Sequence, residues 1–150
     1  MALKVRASLE TLVDRKVAHT FLRDLAQYPH WLDIVHSVTF DENFDSAWII
    51  ELRGKVGPFA RSKRLRMVRT GDDANTSVVF ERSEVDGRNH SEWKLTVFFA
   101  GAGNETEVSV EMFYGGSMFG GGILERMLAD QIERSRPKLV ELIRRTQTHE

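Results

Sequence analysis

The chain has 150 residues, a formal net charge of −1, 29% charged and 41% hydrophobic residues, a length expected to form one domain over 1–150 that buries its own core. The near-neutral balance supplies no bulk attraction to nucleic acid or to an anionic membrane. Without cysteine, a disulfide framework, a thiol nucleophile and a thiolate metal site are excluded within these residues.

In MALKVRASLETLVDRK, Lys4 and Arg6 stand where a signal peptide needs an apolar stretch, and no run reaches the ~18 apolar residues of a membrane span. A cytoplasmic protein without stable membrane insertion is expected. The N-x-[ST] sequons at Asn75, Asn89 and Asn104 then read as chance matches in turns. A first strand reads from about Leu3 to Val13. Asp14 is placed to cap a helix in which Val17, Phe21 and Leu25 recur at helical spacing, and Pro29 ends it. HWLDIV, 30–35, predicts a second short helical turn with Trp31, Leu32 and Val35 facing inward.

From about His36 to Tyr114, short alternating runs are separated by turn chemistry: DENFDS (41–46), TGDDANT (70–76), VDGR (85–88) and AGAGNE (100–105). Asp86-Gly87 predicts a tight type I′ hairpin. Successive hairpins leave no room for crossover helices, so the sheet is antiparallel. Alternation assigns faces. Thr106, Val108, Val110, Met112 and Tyr114 share the inner side of the last strand, against Glu105, Glu107, Ser109 and Glu111. Ser91, Trp93, Leu95, Val97 and Phe99 go together, against Glu92, Lys94 and Thr96. Trp48, Ile50 and Leu52 form a third inner set, and Val78, Phe80 and Arg82 a fourth. In ARSKRLRMVR, Leu65 and Met67 set the inner parity and place Arg64 and Arg66 outside.

A long helix is predicted from about Ile123 to Thr146, with Leu124, Met127, Leu128, Gln131, Ser135, Leu139, Leu142 and Ile143 on one face and a kink at Pro137. It is the only large element able to cover the sheet's apolar side. The expected fold is α+β: an antiparallel sheet wrapped round one long helix.

Chemistry motifs fail where they are tested. Gly116 and Gly121 have P-loop spacing, but Gly122 and Ile123 replace the Lys and the hydroxyl. Gly101 and Gly103 lie in a hairpin rather than before a helix. A nucleophile elbow needs Gly where Phe119 stands. His19, His30, His36, His90 and His149 form no metal-binding spacing, so no metal and no cofactor is expected. The basic clusters (Arg61, Lys63, Arg64, Arg66, Arg69 and Arg134, Arg136, Lys138, Arg144, Arg145) read as solvated faces, since the aromatics lie at inward parity and cannot stack on bases. Arg82, at inward parity, either reaches water at the open end of the sheet or holds a ligand carboxylate or phenolate. Tyr114, Thr106 and Ser91 are the other inward polar groups.

ETLVDRKVAHTFLRDLAQYPHWLDIVHSV resembles the opening of the START-like (SRPBCC) superfamily, in particular its polyketide cyclase/dehydrase branch and its coenzyme Q-binding-like relatives. Phe21, Leu22, Leu25, Tyr28, Pro29, Trp31 and Leu32 fill that pattern. This chain reads Leu25-Ala26-Gln27 where the pattern carries an Asp near 26. The glycine stretch and ILERMLADQIERSRPKLVELI match the family's closing part. The resemblance implies a helix-grip fold, with a seven-stranded antiparallel sheet, a long C-terminal helix and two short helices between strands 1 and 2. It also implies a cavity for hydrophobic ligands such as lipids, quinones or polyketides. The superfamily shares no catalytic set, so none is transferred.

The glycine-rich stretch 115–122 then joins the last strand to the helix. Met118 and Phe119 within it are expected either to fold over the cavity mouth or to pack as an anchor. Residues expected to line the cavity are Trp31, Val35, Trp48, Ile50, Leu65, Met67, Val78, Phe80, Arg82, Trp93, Leu95, Val97, Val108, Val110, Met112, Met118, Phe119, Leu124, Met127, Leu128 and Gln131. An empty pocket of about 300 Å³ costs on the order of 7 kcal/mol at ~24 cal/mol per Å³, a large share of the ~5–15 kcal/mol that holds a domain together. Such a pocket is therefore filled or partly collapsed. The leading reading is a carrier or sensor of a hydrophobic small molecule, with no nucleic-acid partner. One alternative is a cyclase/dehydratase acting on a polyketide-like substrate, with His36, Arg82 and Tyr114 as acid/base candidates. Another is a protein-interaction module using the basic outer strand, as in ribosome-associated toxin relatives.

Overall fold

A computed structural model describes residues 3–53, 63–102, 105–115 and 123–148. The elements in chain order are β1 (Leu3–Val13), α1 (Arg15–Leu22), a 3-10 helix (Leu25–His30), β2 (Val35–Phe40), β3 (Ala47–Leu52), β4 (Lys63–Asp73), β5 (Ser77–Arg82), β6 (Trp93–Ala102), β7 (Glu105–Tyr114) and α2 (Ile123–Thr148). The seven strands form one antiparallel sheet in the order β1-β7-β6-β5-β4-β3-β2. All its neighbours but β1 and β7 are consecutive in sequence, as successive hairpins require. The two short helices carry the chain from one edge strand to the other. The sheet curls, and α2 lies against its concave side in the helix-grip arrangement, closest to β1 and α1.

Asp14 starts α1 as expected: its carboxylate accepts from the backbone N–H of Lys16 (2.8 Å) and Val17 (3.3 Å). The helix is shorter than its apolar spacing suggested. It stops at Leu22, and Asp24, in extended conformation, caps a separate 3-10 helix through a 3.0 Å bond from the Ala26 N–H. Pro29 therefore ends nothing. It sits inside the 3-10 helix, whose φ its ring already matches. The second helical turn covers 25–30 rather than 30–35, because the Asp24 cap competes locally with continuation of α1.

Arg82 ends β5 and Trp93 begins β6, so Asp86-Gly87 lies in a long connection and forms no tight hairpin. A type I′ turn needs two residues at positive φ; Gly87 has φ +73° but Asp86 does not. The Asp86 carboxylate instead accepts from the Arg88 N–H (3.0 Å) and meets His90 (2.8 Å), closing a local turn.

On α2 the buried residues are Ile132, Ser135, Leu139 and Ile143, with Leu142 partly buried. Ile132, absent from the expected face, takes the place given to Gln131, which is half-buried. The helix runs through Pro137 unbroken. Two residues earlier, the Ser135 hydroxyl donates to the Gln131 carbonyl at 2.5 Å.

The outer face holds two departures from simple alternation. Thr96 is buried despite its outward parity. Arg66, also at outward parity, is only 5% exposed. The β2–β3 connection wraps over it, so that its guanidinium meets Asp41 (Nε to Oδ2, 3.1 Å), donates to the Ser83 carbonyl (2.7 Å) and lies over the Phe44 ring (4.5 Å). A loop, not the sheet, buries it, and strand parity says nothing about loops.

Candidate functional site

The concave side of the sheet is built by period-two alternation. Opposed residues of neighbouring strands point the same way, and the register aligns Trp48 with Met67, Ile50 with Leu65, Phe80 with Leu95, Val78 with Val97, and Leu95 with Met112. All are buried. A line of aromatic rings crosses this surface. Trp31 lies 5.1 Å from Tyr28, Tyr28 meets Phe80 edge-on at 5.9 Å, Phe80 meets Trp48 at 5.8 Å, and Trp48 meets Phe40 at 5.9 Å. Contacts of this geometry add to simple burial. The helix α2 approaches β1 and α1, and the aromatic line lies over the middle strands.

Two polar groups are embedded in the aromatic line. The Tyr28 hydroxyl donates to the Leu22 carbonyl at 2.8 Å, and burial, reinforced by Asp24, pushes the phenol far above its usual range. It is a neutral donor at any physiological pH. The Trp31 indole Nε1–H is buried and meets no hydrogen-bond partner among the described residues, whereas buried donors nearly always find an acceptor.

The two ends of the concave side differ. At the α1 end, Val78, Val97, Val108, Val110 and Thr106 are 0% exposed, while Phe99, packed edge-on to His19 at 5.9 Å, keeps 5%; toward the opposite end Ile50, Leu95, Met112 and Tyr114 keep 5–7%, and Leu52, Leu65 and Trp93 1–3%. Polar clamps close that end. Arg15 donates to the carbonyls of Asn75 and Gly101. Asp72 receives Arg23 (2.8 Å) and His19 (2.5 Å), and Arg69 lies 3.5 Å away. Burial pushes the Asp72 carboxyl up, but the hydrogen bonds and charges of Arg23 and His19 outweigh it and hold the group below the usual carboxylate range.

Arg69 shares the inner parity of Leu65 and Met67, opposite Phe80. Its guanidinium donates to the Arg23 carbonyl (2.7 Å) and lies 5.5 Å over Trp48. Burial and the nearby Arg23 lower its pKa.

The open end carries Trp93 and Tyr114, tilted rings 4.6 Å apart, together with Lys63 and Arg82. Arg82 pairs with Glu84 (3.0 Å), donates to the Ser91 carbonyl (3.3 Å) and meets His90 (3.3 Å), whose other ring nitrogen is held by Asp86. A groove of about 260 Å³ runs beside this chain of charges. Arg82 thus has a carboxylate partner from within the protein.

Of the residues expected to line a cavity, Trp31, Val35, Trp48, Ile50, Leu65, Met67, Val78, Phe80, Trp93, Leu95, Val97, Val108, Val110 and Met112 are buried. Met118 and Phe119 lie outside the described residues, as do the side chains of Leu124, Met127 and Leu128. His36 stands exposed on β2, and among the described residues no hydrogen bond links it to Arg82 or Tyr114. Tyr28, Arg69 and Lys63 belong to the same surface but were not among the expected lining residues. Parity within β4 was the available signal for both Arg69 and Lys63.

No protein-family model matches the sequence, and no curated protein does. Solved structures match over nearly the whole chain. A START superfamily protein from Mycobacterium smegmatis is 9% identical, with a TM-score of 0.68 over 96% of this chain and 97% of that one. A conserved protein from Geobacillus kaustophilus is 12% identical, with a TM-score of 0.71 over 96% and 97%. The di-domain ARO/CYC StfQ from the steffimycin biosynthetic pathway is 11% identical, with a TM-score of 0.67 over 100% of this chain and 53% of StfQ. The chain thus has the START-like fold and spans about half of StfQ.

Proposed function

We propose that the protein binds a hydrophobic small molecule between the concave side of the sheet and α2, as a carrier or sensor. The observation that carries this reading is the concave side itself: mostly apolar and aromatic, clamped by polar contacts at the α1 end, with Ile50, Leu95, Met112 and Tyr114 keeping 5–7% exposure toward the end where β7 leads to α2. An apolar ligand entering there gains roughly 25 cal/mol for each Å² of apolar surface it removes from water. The Trp31 N–H, without a partner among the described residues, offers a donor to a carbonyl or hydroxyl oxygen of that ligand. START-like neighbours support a small-molecule role at the level of fold. Organic extraction of the purified protein, followed by mass spectrometry, tests the reading. A single apolar species near one per chain is expected; protein that extracts clean and binds no added lipid or quinone contradicts it.

A second reading, a cyclase/dehydratase acting on a polyketide-like substrate, draws on the likeness to the ARO/CYC structures. In it Tyr114 and Arg82, both at the open end, would face the substrate, and turnover of a linear polyketide mimic is the discriminating assay.

A further inference from the structure

Lys63 is the first residue of β4 and stands opposite Leu52, on the inner side of the sheet. The β5 chain pairs with β4 only as far as Arg66, which exchanges bonds with Ser83 and Glu84. Beyond that level β4 and β6 have no strand between them, and the Lys63 side chain spans the gap. Its ammonium lies 5.7 Å from the centre of the Trp93 ring and 5.4 Å from that of Tyr114. Aromatic faces steady a cation and shield its stem but do not neutralise it.

Among the described residues Lys63 makes no ion pair, and two acids of the β5–β6 connection are engaged elsewhere: Glu84 with Arg82 and the Arg66 N–H, Asp86 with His90 and the Arg88 N–H. Among the described residues, then, this ammonium has no acidic partner and sits at the open end of the concave side, against the aromatic pair that frames it. An ammonium is a compact point charge with three donors, suited to a single oxyanion.

We propose that Lys63 anchors the head of the ligand, and that the ligand is an amphipathic acid: an apolar chain or ring system against the concave side, with one carboxylate at the open end. This rests on the reading of the concave side as a ligand site and adds the chemical class and the residue that selects it.

The test compares decanoate with 1-decanol, equal in chain length and different in charge, as competitors of an apolar fluorescent probe at about pH 8, where the acid is ionised. Wild-type protein is expected to release the probe at about tenfold lower decanoate than decanol, a difference of one charge-assisted contact. Lys63→Met should weaken decanoate about tenfold and leave decanol unchanged, and Lys63→Arg should restore most of the preference. The preference in wild-type protein should also shrink as salt is raised, a readout that does not depend on the variant folding. Equal displacement by both ligands, or a preference that survives both Lys63→Met and high salt, overturns the assignment while leaving the pocket intact. If neither ligand displaces the probe, or the probe does not bind, the pocket reading fails and the assignment with it.

Discussion

Replacing Trp31 by phenylalanine tests whether its indole N–H is an unmet donor. The side chain is fully buried against Tyr28, and Nε1 has no partner among the described residues. Two contributions oppose each other. Phenylalanine leaves a void of roughly 40 Å³, which at ~24 cal/mol per Å³ costs about 1 kcal/mol, with a further transfer loss of similar size. Removing an unsatisfied buried donor returns about 1–3 kcal/mol. The net change for Trp31→Phe is therefore within about 1 kcal/mol of zero, or about 2–4 °C in melting temperature for a chain this long. Trp31→Ala removes the whole ring and should cost about 3–5 kcal/mol, on the order of 10 °C or more. Thermal unfolding of the two variants, followed in parallel by circular dichroism on ligand-stripped protein, reads the contrast. A loss for Trp31→Phe as large as for Trp31→Ala refutes the reasoning, because it would mean that the indole N–H is satisfied and supports the fold.

Gly101 has φ +92°, and a Cβ there would meet the Glu105 carbonyl oxygen at 2.5 Å, whereas Gly87, at φ +73°, has nothing within 4 Å. Gly101→Ala should lose about 3 kcal/mol or more and Gly87→Ala about 1–2; urea midpoints at constant m measure both, and equal losses would contradict the close approach at Gly101. Asp72 has its carboxyl depressed by Arg23 and His19 against the pull of burial. A depressed carboxyl contributes its stability fully above its unfolded pKa of about 4 and loses it as pH falls through the folded value. Asp72→Asn should therefore be less stable at neutral pH and show a flatter acid limb in unfolding free energy; an unchanged acid limb argues against the clamp. Phe80→Ala, opening a void between Tyr28 and Trp48, should destabilise by about 3–5 kcal/mol, and benzene added to the variant should recover part of the loss in a thermal melt.

The strand faces were legible in the sequence because side-chain direction in a strand follows from residue number alone. The apolar members of the inner sets of β3, β5, β6 and β7 came out buried, Arg82 and Ser91 only in part, and β1 ran over the expected range. What escaped was decided by local competition or by loops. Asp24 caps a new turn of chain and so separates α1 from the 3-10 helix, which no apolar spacing reveals. Asp86 binds its own neighbours and opens what a Gly at positive φ suggested would be a tight hairpin. Arg66 is covered by the β2–β3 connection, which brings Asp41 and Phe44 over it from the outside. Arg69 and Lys63 were readable by the same parity that placed Leu65 and Met67, but a charged residue at inward parity is easily assigned to the surface. Here a bulge between Arg69 and Gly71 and the end of β5 at Arg82 supply the room each of them needs.

All three tryptophans of the chain, Trp31, Trp48 and Trp93, are buried in the hydrophobic core, so intrinsic fluorescence reports on the interior. Titration with a brominated fatty alcohol, whose heavy atoms quench only nearby indoles, is the most direct measurement of whether that interior admits a ligand. Saturable quenching that ends at one molecule per folded chain, and vanishes on unfolding in urea, is the predicted result. Emission that stays constant, or falls only in linear collisional fashion without saturation, would show that the sheet and α2 enclose no binding space.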